Sequence, residues 1–258
     1  MVSSVLHGCA ILLKKHKDWD WFISLSPSDY PLVTQDDLLH SFSGLKRDLN
    51  FVEHTSHLGW KEAGRAKPLI VDPGIYQNTK SDFFQVSPPN RPLPTAFRLF
   101  TGSSSRLCLS SVRLSRTLLM HYTNFITSCQ GYFQTVICNS LEFVPTVVNS
   151  DLHYISWDTP PKQHPHTLNI NDTAKMVASG APFARKFKRN HIVLDKIDAE
   201  LLGRKNGSFT PGGWCAGKPR CSMVRNPIKL KPGPGAKRLT HILARLVYSA
   251  EFKDRQCK

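Results

Sequence analysis

No stretch of this sequence approaches the roughly 20 apolar residues that span a bilayer, so nothing in it reads as a transmembrane helix. The best candidate, Val5–Leu13 (VLHGCAILL), is too short, is polar at its start and follows no basic region, which also excludes a secretory leader. Taken literally, these absences describe a soluble, cytosolic chain. Paired C-x-x-C spacing is missing among the seven cysteines, which excludes the common structural zinc patterns. Acidic residues are scarce: 19 stand against 34 lysines and arginines, giving a net charge of +15. That excess favours an anionic partner such as a nucleotide diphosphate, a phospholipid surface or an acidic polymer, and a merely basic surface accounts for it equally. The basic residues are dispersed and form no recognised nucleic-acid-binding motif, so nucleic acid is not an expected partner. Neither an internal repeat nor a long linker divides the 258 residues, and one domain spanning 1–258 is expected.

What is present alternates helical and extended signals. Ser4 to Lys15 has amphipathic helical spacing, with Val5, Ala10, Ile11 and Leu12 expected inward and lysines at its C-terminal end. Trp19 to Leu25 is aromatic and β-branched and predicts a strand, broken by SPSDYP. Thr34 is a good N-cap for a helix over 35–43, with Asp36 and Asp37 in its first turn. LNFVEH, PLIVDPGIY and LHYISW predict further strands. TLLMHYTNFITS, GYFQTVICNS and NINDTAKMVAS predict helices, and a last helix is expected from Leu239 to Ala250 after a KPGPGAKR loop. Pro88 to Pro94 must be a rigid loop, and Thr101 to Arg116, rich in serine and arginine, has only weak periodicity. The order of helices and strands predicts an α/β layer architecture.

Several residues could carry chemistry. Asp18 and Asp20 form a D-x-D, the pattern of a divalent-cation clamp in sugar-nucleotide transferases. The apolar run follows the pair instead of preceding it, so both carboxylates sit at the strand's entrance, the wrong end for a ligand site. Solvated or capping carboxylates are the favoured reading, and no metal is expected. Asp29, beyond the strand's far end, is better placed for a site and equally suits an Asx turn. In FARKFKR, Arg185 and Lys186 could present fixed positive charge to a diphosphate leaving group, or belong to a solvated basic face. Cys215 and Cys221 in WCAGKPRC could form a local disulfide, and Cys257 could tie down the C-terminal tail; a free thiol is the alternative for each, and the sequence alone slightly favours it. Asn171 and Asn206 open N-glycosylation acceptor patterns that chance produces often.

Taken together, DWDWFISLSPSDYPLVTQDDLL, KPLIVDPGIY, LFTGS, GYFQTVICNS, NSDLHYISWDTPPKQHPHTL, APFARKF, PGGWC and PGPGAKRL…RQCK resemble one family in order along nearly the whole chain. It is the core-2/I-branching β-1,6-N-acetylglucosaminyltransferase family, and most closely its plant β-glucuronosyltransferase branch acting on arabinogalactan proteins. The resemblance implies a GT-A-like α/β fold and inverting transfer from a UDP-sugar donor to a glycan acceptor on a glycoprotein. It also implies no metal or other cofactor, and a type II, membrane-anchored Golgi protein with a lumenal catalytic domain. The tryptophan–aspartate block then becomes a strand and turn of the pocket, with Asp29, His153 and Trp157 beside the site. Arg185 and Lys186 become donor-diphosphate ligands, and Glu53, Arg65 and Lys67 become acceptor candidates.

Three departures from the family qualify that expectation. The family's general-base glutamate, just before GYF, is replaced by Gln130, and an amide cannot take a proton from the acceptor hydroxyl. Losing such a base typically costs about two to four orders of magnitude in rate. Ser105 stands where an aromatic residue follows TGS, and the segment after it is shortened; a true change in the acceptor floor and a local sequence error account for this equally. Met1 resembles an internal methionine of the catalytic domain, so the anchor and the first, nucleotide-binding strands are expected to be absent. An impaired glucuronosyltransferase is therefore the leading expectation. A non-catalytic UDP-sugar- or carbohydrate-binding remnant is its rival.

Overall fold

The computed structural model describes residues 2–16, 19–56, 70–71, 83–84, 118–120, 122, 130–160, 162, 164–204 and 230–257. The chain falls into two compact units, one of residues 1–24, 47–151 and 253–258, the other of 25–46 and 152–252. Both combine helices with strands, as the α/β expectation requires.

The first unit opens with helix α1 (Val2–Lys15), which ends on Lys14 and Lys15 at the negative end of its dipole. Its packed stripe runs from Val2 through Val5 and Leu6. Ala10, Ile11 and Leu12, expected inward, are exposed. A stripe that begins at Val2 recurs every three to four residues, which leaves positions 10–12 on the rest of the circumference. Strands β2 (Asn50–Phe51) and β5 (Val147–Val148) pair in parallel, Asn50 opposite Val147, and Val52 N–H donates to Val148 O at 2.9 Å. Strands β3 (Ile70–Val71) and β4 (Phe83–Phe84) pair antiparallel. The helix expected in GYFQTVICNS is α3 (Tyr132–Cys138), buried at every position. A helix apolar on so many faces has no side to show water. Tyr132 meets Tyr122 and Phe133 edge-on, and burial pushes the Tyr122 phenol up to about 12 while its hydroxyl meets Thr135 Oγ1 at 2.8 Å.

Of the two readings of Cys257 the structure takes the tie: it bonds to Cys138 of α3. The bridge closes a separation of 119 residues, which a chain-entropy model values at about 5 kcal/mol. Gln256 Nε2 adds weak bonds to Pro145 O and Val147 O. Cys215 and Cys221 lie outside the described residues.

The second unit is built on a three-stranded sheet in the order β1 (Asp29–Pro31), β7 (Phe183–Arg185), β6 (His153–Ile155). Strand β1 runs antiparallel to β7, and β6 runs parallel to it. The β6-to-β7 connection contains α4 (Thr173–Ser179), as a parallel pair demands a crossover. Gly180, at φ +69°, ends α4 in the left-handed conformation that glycine adopts without strain.

Here the predicted strand at Trp19–Leu25 is corrected. Those residues form no ladder among the described residues, and the pairing falls on Asp29–Pro31, inside the supposed breaker. Asp29 N–H donates to Ser26 O at 3.0 Å, and the Asp29 carboxylate accepts from Ser26 N–H and Oγ, so the prolyl turn delivers the chain straight into pairing. Pro31 is tolerated because β1 is an edge strand, where a missing N–H need not break a ladder.

Helix α2 (Gln35–Ser43) starts at Thr34, as predicted. A full capping box joins Thr34 and Asp37. Asp36 and Asp37 do more than face a dipole: both are buried. Asp36 accepts from Lys231 N–H at 2.9 Å, and Asp37 accepts from Gly233 N–H at 2.6 Å. They hold the entry of α6 (Pro234–Tyr248), which starts five residues before the predicted Leu239. Pro234 opens it without losing a bond, since first-turn N–H groups have no helical partner. A Cβ on Gly235 would collide with Asp37 Oδ2, so only glycine lets the helix come this close. Between β7 and α6, helix α5 (Ile192–Glu200) covers a core of Leu32, Leu168, Met176, Phe187, Val193 and Ile197.

Candidate functional site

Paired residues in a sheet project to the same face, and the two faces of β1-β7-β6 divide the labour. Tyr30, Ala184 and Tyr154, all in register, turn into the second unit's core. Asp29, Arg185 and His153 belong to the other face. Asp29 pairs opposite Arg185, while His153 sits opposite Phe183 and stacks on its ring at 5.4 Å.

Three residues singled out from the sequence thus meet in one network. Asp29 Oδ2 lies 3.6 Å from His153 Nε2, and Asp29 Oδ1 lies 3.5 Å from Arg185 Nε. The carboxylate and imidazole are almost wholly buried, with side-chain exposures of 3% and 1%, while the Arg185 side chain keeps 26%. Burial alone would raise the Asp29 pKa. The His153 contact, the two Ser26 donors and the His153 charge outweigh it, and the net shift is downward. Asp29 is therefore ionised at neutral pH, and it fixes the guanidinium by a charge-assisted contact. Asp29 is thus bonded across its own turn, to Ser26, and also belongs to this network.

Lys186, the next residue, lines a cavity of about 510 Å³ with Asp158, Lys162, His164, Pro165, His166 and Thr167. The wall is tied to the sheet's end, since Leu168 N–H donates to Lys186 O and His166 N–H to Ser156 O, both at 2.9 Å. Within it, Lys162 Nζ is 3.1 Å from Asp158 Oδ2, and His166 Nδ1 is 3.0 Å from Asp158 Oδ1. The Lys162 and His166 contacts lower the Asp158 pKa. His166 Nε2 also approaches Asp172 at 3.5 Å. A pocket with two ammonium groups beside a compensated carboxylate can take an anionic group. Sequence reasoning gave Asp158, Lys162 and His166 no role of their own, and no local pattern in that stretch singles them out.

Trp157 is 43% exposed and is not among the residues lining this cavity. Glu53 is exposed just past β2. Gln130 is half-buried in a helical turn that leads into α3, and a Cβ on neighbouring Gly131 would stand 2.9 Å from Tyr122 Oη. Asn171 is exposed, while the hydroxyl of Thr173, its acceptor-pattern partner, donates to Ile170 O at 2.6 Å. Asp20 pairs with Arg47 at 2.8 Å in an exposed contact that stabilises little. Asp18, Arg65, Lys67, Ser105 and Asn206 lie outside the described residues.

Comparison with known proteins gives this arrangement a context. Residues 1–177 match the Core-2/I-Branching enzyme family model. The chain is 56% identical to beta-glucuronosyltransferase GlcAT14A and 54% identical to GlcAT14B, both of Arabidopsis thaliana, over all of its own length and 61% and 62% of theirs. It therefore spans about three fifths of those relatives. Human xylosyltransferase 2 is 27% identical over 75% of this chain and 24% of its own. With a family model over more than half the chain, and full-length identity above one half, the chain belongs to the core-2/I-branching enzyme family.

Proposed function

We propose that this chain is the greater part of an inverting β-glucuronosyltransferase catalytic domain. It would take glucuronic acid from UDP-glucuronate to galactan chains of arabinogalactan proteins in the Golgi lumen, without a metal. Support comes from identity of one half or more to two beta-glucuronosyltransferases. The observation that carries the mechanism is the pairing of a buried, ionised Asp29 with Arg185, next to a Lys186 that opens on a cavity.

In this reading an acceptor hydroxyl attacks the anomeric carbon from the face opposite the UDP. The bond to the β-phosphate oxygen breaks, and negative charge grows on the diphosphate. Arg185 and Lys186 balance that charge, and Asp29 keeps the guanidinium from reorganising as it does so. Lys162 adds a second ammonium group to the cavity wall. The acceptor's proton needs a base, and Gln130 stands at the position of the family's glutamate. An amide cannot accept a proton, so transfer is expected to be slow.

Gln130 also favours a second reading, a protein that binds UDP-sugar without turning it over. Calorimetry with UDP and a radiolabelled transfer assay, run on the chain and on Gln130→Glu, separate the two. A rise in transfer of about two to four orders of magnitude supports the impaired transferase. Binding without transfer in either form supports the binder. Neither binding nor transfer sinks both, and a loss of transfer on chelation would overturn the metal-free mechanism.

A further inference from the structure

We propose that the disulfide Cys138–Cys257 doubles as a latent metal site: once reduced, its two sulfurs and the His54 imidazole bind a thiophilic divalent cation such as zinc. One ligand atom from each of the three residues lies within 4.8 Å of the other two. The proposal does not depend on the transferase reading.

Each ligand is held by contacts that survive reduction. His54 is buried, and its backbone is clamped by Asn149, which accepts from His54 N–H at 2.9 Å and donates to His54 O at 3.2 Å. Cys138 is in the last turn of α3, inside the first unit's core. Cys257 packs against that core, next to Gln256 with its bonds to Pro145 O and Val147 O. Cleavage therefore leaves both thiols beside the imidazole.

Tetrahedral zinc takes sulfur at about 2.3 Å and nitrogen at about 2.0 Å, which sets S···S near 3.8 Å and S···N near 3.5 Å. The S···N separation fits inside the 4.8 Å that the sulfurs and the imidazole already span, while the two sulfurs, bonded in the oxidised chain, must part once reduction breaks the bond. Two thiolates and a neutral imidazole cancel the cation's charge, as a largely buried site requires. Soft sulfur ligands select zinc over magnesium or calcium. Cys257 is only half-buried, which leaves the fourth position accessible to water.

The chemistry balances with a dithiol as reductant. The Cys138–Cys257 bond accepts two electrons and two protons and becomes two thiols, while the dithiol becomes its disulfide. Metal binding then releases the two thiol protons to solvent. Reoxidation would expel the cation.

The test uses the whole chain, reduced with excess dithiol, desalted without oxygen and titrated with cobalt(II) as a spectroscopic substitute for zinc. Seven cysteines less these two leave five others, so Cys257→Ser sets the background. Expected is one further cobalt per reduced chain, with a thiolate-to-cobalt charge-transfer band that zinc displaces. The oxidised chain should lack it, and His54→Gln should bind at least about tenfold more weakly. Uptake equal in the reduced chain and in Cys257→Ser overturns the proposal. If Cys257→Ser does not fold, unchanged affinity in His54→Gln overturns it as well.

Discussion

Replacing Asp29 with alanine should cost this protein about 3–5 kcal/mol of folding stability at neutral pH. The carboxylate accepts two charge-assisted bonds from Ser26, at 2.6 and 2.8 Å, each worth about 1.5–3 kcal/mol. Its loss also removes the negative charge that lies 3.5 Å from Arg185 Nε and 3.6 Å from His153 Nε2. Removing one partner of a buried ion pair costs about 3–5 kcal/mol, and the new cavity adds to that. Against a typical total of about 5–15 kcal/mol, the loss is large. Urea denaturation followed by circular dichroism measures it, provided the slope with urea is unchanged between variants. The pH dependence supplies an independent check. Asp29 is held below its ordinary pKa in the fold, so its contribution is complete above the unfolded value of 3.8 and is lost as pH falls through the folded one. The gap between the native chain and Asp29→Asn should therefore shrink as pH falls below 3.8. A gap below about 1 kcal/mol at pH 7, or one that fails to shrink below pH 3.8, refutes the account of this network.

Gly235→Ala should destabilise by about 1–3 kcal/mol, because its methyl group enters the space of Asp37 Oδ2; an unchanged melting temperature would show that α2 and α6 can part freely. Tyr30→Phe should cost about 1–2 kcal/mol in urea, since the phenol donates to Asp198 at 2.9 Å while Arg204 holds the same oxygen at 3.2 Å. Burial first, and Asp198 second, push the Tyr30 phenol up to about 12, so no tyrosinate band from this residue should emerge below pH 11 in an ultraviolet titration. Lys186→Met should weaken UDP binding by about tenfold or more in calorimetry, corresponding to loss of about 1.4 kcal/mol; equal affinity would remove Lys186 from the diphosphate site.

Local signals were the legible ones. Thr34 announced α2 because a capping box is complete within four residues. Arg185, Asp29 and His153 were each recognisable, but their meeting was not. Asp29 and Arg185 come together only because an edge strand pairs across 155 intervening residues, and no local pattern encodes that register. Trp19–Leu25 misled because aromatic, β-branched composition fits a strand whether or not a partner is present. PGPG at residues 232–235 misled in the opposite sense. Proline and glycine usually punctuate loops, yet here proline opens a helix and glycine admits the Asp37 carboxylate. The cavity wall at Lys162 and His166 escaped notice because its residue types do nothing until the sheet brings Lys186 beside them.

The stapling of residue 257 to the middle of the chain bears on biosynthesis. One compact unit draws on residues 1–24, 47–151 and 253–258. A ribosome delivers those pieces in sequence, so the bond that closes the unit must wait until residue 257 has left the exit tunnel. Until then the Cys138 thiol is an available target for mispairing with cysteines that emerge before its partner, and an oxidoreductase able to reshuffle such errors should raise the yield of native chain.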